Sequence, residues 1–422
     1  MISRRARSRR HPERSDRHPE RSEGSAVRSA WGAFALVALA AAAHAQTVPS
    51  VRIRAENTLS IIRPDETIAV RWSDVMAKLP QASPSKVRVV DPATGVEVVS
   101  QVVDNDGDGT FDQLIFQATF APGEARSFAI EANAASAKPA KTRVYAAHMM
   151  PRDDVAWESD RIAYRIYGQG LWKVDSLLSS GVDVWVKRVR DPIVEKWYAK
   201  GHDEYHHDTG EGADFFDVGQ SLGAGGTAIW KNDTLYRAWN FKSQRVIANG
   251  PVRAIFELQY QPWAAPGLRV TETKRIALDA GQNLNHVTSI FRAESGGPEI
   301  PWATGLVKRK NVIGLESKAQ PWAWLTEWGP VLPKDGGHGD LGIAVLLPRA
   351  SVLDWKETND HYLAISRARS GQPVDYYIGA GWTDSGDYRD VTDWYKYLDA
   401  AAQRFSSPIV VTFSSRGGAA ER

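Results

Sequence analysis

Cysteine is absent from all 422 residues, so no disulfide framework exists and stability must come from buried apolar surface. Helical periodicity is also scarce. Only Asp390 to Arg404, where Trp394, Leu398 and Ala401 or Ala402 recur at helical spacing, predicts a helix. Beyond the N-terminal region no apolar run approaches the roughly 20 residues that span a bilayer, which excludes a helical membrane span there. An excess of positive charge is missing too, once the leader is set aside. The first thirty residues hold nine arginines against four acids, so the net charge of +2 becomes −3 for the remainder. The basic character of the whole chain therefore gives no support for nucleic-acid binding.

Those first thirty residues repeat RHPERS at Arg10 and Arg17 and contain nothing that packs a core. They read as a start-site artefact ahead of the true leader. The apolar run from Trp31 to Ala43 then ends in Ala43-His44-Ala45, the small-x-small pattern of signal-peptidase cleavage. Residues 1–45 are thus expected to be removed on export to the periplasm or beyond, leaving a chain that starts near Gln46.

The mature sequence is dominated by short β-branched runs separated by turn residues. From Val51 to Ala129 these include ETIAVRW, KVRVVD and QLIFQATF, divided by Asp91 to Gly95, Asp104 to Gly109 and Ala121 to Gly123. This spacing predicts a small antiparallel β-sandwich over 46–131. Small, polar residues at 132–141 predict a linker. Roughly a dozen further strands, rich in Trp and Tyr, predict a large antiparallel β-supersandwich of the galactose-mutarotase type over 142–415, followed by a tail at 416–422. The fold class is all-β.

Seven histidines lie outside the leader, and three of them, His202, His206 and His207, fall within six residues. The surrounding stretch, Trp197 to Gly226, is rich in glycine and lacks periodicity, which predicts a long loop of the kind that carries function. His, Tyr, Asp and Glu together supply a general base, a general acid and carboxylates to orient them. The same residues suit a divalent metal, although HExxH is absent, and they also suit a merely solvated polar loop. Ser221 satisfies G-x-S-x-G, but that motif works at a strand-to-helix elbow that this sequence lacks. Gly223 to Gly226 lacks the Lys-Ser/Thr of a phosphate loop.

Asp104, Asp106, Asp108 and Asp112 occupy positions one, three, five and nine of a calcium-type loop, with Gly109 at six. Position twelve is Ile115, where an EF-hand requires glutamate. A weaker calcium site and a plain hairpin turn remain as readings. Fifteen tryptophans follow the leader; most are expected to fill β-cores, while Trp322, Trp324 and Trp328, beside Pro-rich turns, are the ones expected at the surface.

Four segments then carry a family resemblance. They are Ser100 to Gly109 with Leu114 to Gln117, Trp157 to Gly168, Tyr205 to Gly212, and Val218 to Gly226. From about Asn57 to Phe413 the chain resembles the exported bacterial proteins grouped as the domain of unknown function DUF4861, found among genes for polysaccharide breakdown. The DGDG segment also resembles the N-terminal β-domain of rhamnogalacturonan exolyase-like proteins. The family's association with uronate-rich polysaccharides, including a proposed oligosaccharide dehydratase role in ulvan breakdown, implies β-elimination. That chemistry needs a base for C5–H, a cation for the carboxylate and an acid for the departing O4. His206 is the expected base and Tyr205 the acid, with His202 and His207 as competitors. Arg237 or Arg161 is expected to hold the carboxylate through its planar fork. Asp208, Glu211, Trp172, Trp239 and Asn240 complete the expected substrate contacts. No cofactor is required; calcium in the N-terminal domain and a divalent metal at the His loop are the options these residues offer. A non-catalytic carbohydrate-binding protein and a sugar epimerase or mutarotase are the alternative functions.

Overall fold

The segments Leu268–Asp279 and Leu284–Ser295 alternate buried and partly exposed side chains along almost their whole length. Such alternation is the mark of a strand with one face in a core. They pair antiparallel, with Thr273 opposite Ile290 and Ile276 opposite Val287, and form the centre of a nine-stranded sheet. These strands belong to a computed structural model that describes residues 48–133, 140–175, 178–332 and 336–414. The expected leader and its cleavage site, the middle of the expected linker and the expected tail lie outside the described residues.

Two five-stranded antiparallel sheets complete the large β region. One runs Thr234–Arg237, Ala224–Lys231, Glu299–Val307, His361–Arg369 and Val352–Glu357 in spatial order; the other runs Gly212–Ala213, Asp183–Lys187, Ile162–Ile166, Asp154–Ser159 and Val144–Met149. All three sheets share one core. Phe256, Ile276 and Val287 meet Ile229, Trp302 and Leu306, and these meet Trp157, Tyr164 and Val184. The fold is therefore an all-β supersandwich.

Upstream, a five-stranded sheet faces a three-stranded one around Ile53, Ile68, Leu114, Phe116, Phe128 and Ile130. The last strand of the chain, Val410–Phe413, returns to this N-terminal sheet and pairs with Ser50–Glu56, placing Phe413 opposite Ile53. Polar contacts tie this sheet pair to the large β region. Gln117 Nε2 donates to the Ala280 carbonyl at 2.7 Å, and Gln101 Nε2 donates to the Arg253 carbonyl at 3.0 Å.

The one long helix, Val391–Ser406, starts where the sequence places it. The Asp390 carboxylate accepts from the amides of Thr392 and Asp393, satisfying two of the donors left open at the first turn. Its apolar stripe of Trp394, Leu398, Ala401 and Ala402 covers Trp324 and Trp328. This corrects the expected exposure of those tryptophans: both are buried, and Trp324 Nε1 donates to Asp399 of the helix. Among the described residues the exposed tryptophan is Trp239, at 59%.

The Asp104 loop is bound to itself. Asp104 Oδ1 accepts from the Gly107 amide at 2.6 Å and Oδ2 from the Gly109 amide at 2.8 Å, while Asp112 Oδ2 accepts from the Asn105 amide. Arg245 and Arg275 bond to the loop through main-chain carbonyls of Asp106 and Gly107. No ion pair to Asp104, Asp106 or Asp108 forms among the described residues, and one oxygen from each of the three lies within 4.8 Å of the others. Such oxygens are the hard donors that calcium takes, and the Arg245 and Arg275 guanidinium groups bring positive charge to the same loop. The expected outcome of a calcium titration followed by thermal unfolding is a Tm that rises at millimolar calcium, a rise abolished by Asp104→Asn. A Tm indifferent to calcium would identify the loop as a self-bonded turn.

Candidate active site

Arg165 interrupts the apolar run Ile162–Ile166, and its side chain is buried. A guanidinium cannot leave water without acceptors. Asp183 supplies them first: Oδ2 accepts from Arg165 Nε at 2.9 Å and Nη2 at 2.5 Å. Asp214 Oδ2 accepts from Nη2 at 3.0 Å, and Tyr205 Oη accepts from Nη1 at 2.9 Å. Tyr167 Oη also donates to Asp183 at 3.1 Å. Two carboxyls thus share one guanidinium. Burial, and then the charge of Asp183, push the Asp214 carboxyl well above the usual range, while Arg165 pulls it back.

The histidine segment is fastened over this network. After the helix Val194–Lys200 the chain makes a 3-10 turn at Glu204–His206, then pairs Gly212–Ala213 with Val186 and Lys187. Gly212 has φ of 109°, and a Cβ there would stand 2.0 Å from the Val186 carbonyl oxygen, so only glycine lets the strand close. The Asp214 amide donates to the Tyr205 carbonyl at 2.9 Å, and His206 Nδ1 lies 3.1 Å from the Asp214 carbonyl oxygen. A carbonyl only accepts, so Nδ1 carries the proton and Nε2 keeps a lone pair. Burial lowers the His206 pKa from 6.5, against the pull of the Asp214 carbonyl. The ring is therefore neutral at neutral pH.

His206 and His202 line one cleft of about 160 Å³ with Arg152, Arg165, Tyr167 and Asp214. Phe215 and Phe216 give it an apolar wall. The two imidazoles lie 4.8 Å apart, and His202 Nδ1 faces Asp203 Oδ1 at 3.2 Å. Beyond Phe215, His338 sits between Asp384, at 2.6 Å, and Asp208, at 3.3 Å, while Arg188 lies over the Trp382 ring.

Other residues expected in the site lie elsewhere. Tyr205 does not line the cleft: its ring packs 4.6 Å from that of Trp185, and its hydroxyl is spent on Arg165. Burial raises its pKa, which leaves it a weak proton donor. His207 is exposed, with Nδ1 on the Asp203 carbonyl. Arg161 is held by Asp387 at 2.7 Å, and Arg237 lines a separate cleft with His361. Asp208 shapes the loop, accepting from the amides of Gly210 and Gly212 and from Arg188. Burial pushes its carboxyl up, but Arg188 and those amides prevail and hold it below the usual range. Glu211 pairs with Lys196. Asn240 is buried, bridging the Gly168 carbonyl and the Ser179 amide. Trp172 and Trp239 form an edge-to-face pair at 5.5 Å, and Leu171, next to Trp172, lines the cleft. Ser221 Oγ donates to the Val218 carbonyl and accepts from the Gly223 amide, with no histidine on it. Among the described residues three metal-ligand atoms converge only at the Asp104 loop.

Residues 55–411 match the family model described as domain of unknown function DUF4861. Over 380 residues the chain is 30% identical to uncharacterized protein P7 of Formosa agariphila, covering 85% of this chain and 92% of that protein. The fold is similar to that of a solved protein in the glycosyl hydrolase family 38 from Enterococcus faecalis, with a TM-score of 0.51 at 11% identity over 87% of this chain. An alpha-mannosidase from Enterococcus faecalis is more distant, at a TM-score of 0.39 and 12% identity. The chain spans about half the length of these solved chains, 48% and 46%. The family match, which includes the histidine segment and the strand that carries Arg165, places this protein in the DUF4861 family.

Proposed function

We propose that this protein is an exported carbohydrate-active enzyme that acts on uronic-acid oligosaccharides by β-elimination in the His206 cleft. The observation that carries the reading is the pair of imidazoles in one cleft, one of them held neutral with its basic nitrogen unprotonated. A fold similar to that of a glycosyl hydrolase family 38 protein is in keeping with a sugar substrate.

In this mechanism the substrate carboxylate lies towards Arg152, which neutralises charge as it develops at C5. His206 Nε2 takes the C5 proton. The electron pair forms the C4–C5 double bond, the C4–O bond breaks, and the departing oxygen receives a proton from His202. His202 gives that proton as the imidazolium, with Nδ1–H held by Asp203 and Nε2–H left to donate. Phe215 and Phe216 offer apolar surface to the sugar ring. Arg165 is fully engaged with protein acceptors and acts by fixing Asp214, hence His206.

A glycosyl leaving group makes the enzyme a lyase, and a chain-end hydroxyl makes it a dehydratase. Two imidazoles in one cleft also suit epimerisation, in which one ring removes a proton that the other returns to the opposite face.

Incubation with uronic-acid oligosaccharides should generate ultraviolet absorbance of the conjugated C4–C5 double bond, with product masses separating lyase from dehydratase. An isomer of unchanged mass without absorbance would establish the epimerase. His206→Ala should lower turnover by about 10²–10⁴. Because the base works only when neutral and its pKa is depressed, kcat/KM should rise with pH through a midpoint below 6.5. Full activity in His206→Ala, or an acid limb above 6.5, would refute the assignment.

A further inference from the structure

A second cleft, of about 490 Å³, opens beside Arg237 at the edge of a five-stranded sheet. Gln220, Trp230, Thr358, Asp360 and His361 are among the residues that line it. The His206 cleft ends at Val218 and Gly219, so one loop separates the two.

Arg237 is anomalous here. It stands on the strand Thr234–Arg237, opposite Ala228, and is partly buried. Yet among the described residues its guanidinium has neither a hydrogen bond nor an ion pair. Arg63, Arg165, Arg253 and Arg309, by contrast, each hold a carboxylate. Burial lowers the Arg237 pKa and the charge of Asp360 only partly offsets it, so the group carries a desolvation cost that the folded chain does not recover.

Its surroundings add donors. The Leu222 amide donates to His361 Nε2 at 3.1 Å, which places the ring proton on Nδ1. Nδ1 has no acceptor among the described residues. Burial, and then the positive charge of Arg237, depress the His361 pKa to about 4, so the ring stays neutral and donates without adding charge. Asp233 is paired with Lys356, which lies over the Trp230 ring at 5.2 Å, so Asp360 is the one lining carboxylate without an ion pair among the described residues.

We infer that this cleft is a second carbohydrate subsite, in which Arg237 takes the carboxylate of a uronic-acid residue through its planar fork. His361 Nδ1 supplies a neutral donor to the same residue, and the Trp230 edge gives it an aromatic border. The inference shares the substrate class proposed above but needs none of the chemistry of His206.

The test uses methyl β-glucuronoside as probe and methyl β-glucoside as neutral control, titrated by NMR against His206→Ala protein, with and without Arg237→Gln. His206→Ala protein should bind the glucuronoside. Adding Arg237→Gln should raise its Kd by about tenfold to a hundredfold, the loss of charge-assisted hydrogen bonds, and leave glucoside binding unchanged. Arg237→Lys should lose most of that affinity despite keeping the charge. Since Arg237 holds no protein group, the Tm of Arg237→Gln should not fall. No glucuronoside binding, a Kd indifferent to Arg237→Gln, or a Tm lowered by several degrees would each overturn the inference. Absence of an unsaturated product in every variant would defeat the elimination reading and leave this one standing.

Discussion

The buried guanidinium of Arg165 is the constraint from which the site follows. A cation there requires acceptors, and removing one partner of such a group costs about 3–5 kcal/mol. The acceptors come from three places in the chain: Asp183 on the neighbouring strand, Asp214 after the histidine segment and Tyr205 within it. Satisfying one charge therefore pulls the Tyr205 to Asp214 segment onto the sheet. The aromatic stack of Tyr205 on Trp185 adds apolar burial to the same docking.

The state of His206 is a by-product of that docking. Once Asp214 is fixed, its carbonyl oxygen faces His206 Nδ1 and sets the tautomer, while burial keeps the ring neutral. The other two histidines are held less firmly: among the described residues the His202 side chain has a polar contact only with Asp203, and His207 Nδ1 meets the Asp203 carbonyl. A rigid base beside a solvent-facing second imidazole is the arrangement a proton relay needs. The Arg237 cleft follows the opposite logic, with a partly buried cation that has no ion pair among the described residues.

Much of the fold was legible because its signals are local. Period-two alternation in LRVTETKRIALD and the helical stripe of Trp394 and Leu398 depend on neighbours in sequence. The family resemblance drawn from the Tyr205 and Val218 segments holds over residues 55–411. The site was half legible. Clustering marks out His202 and His206, but Arg165 stands outside any cluster in sequence, and only tertiary pairing shows that it is buried. A charged residue inside RIAYRIYG, where both faces are otherwise apolar, was the available signal. Arg237 and Arg161 were misplaced because spacing carries no information about which cleft a strand end borders. Trp324 and Trp328 were misread because the helix that covers them lies some seventy residues downstream.

Proton abstraction by His206 requires a neutral imidazole with its proton on Nδ1 and a free Nε2. Nitrogen-15 NMR of histidine-labelled protein, titrated across the acid range with His206→Ala used to assign the resonance, measures that state directly. The prediction is an Nδ1–H tautomer that titrates below 6.5. An Nε2–H tautomer, or a midpoint at or above 6.5, would contradict it.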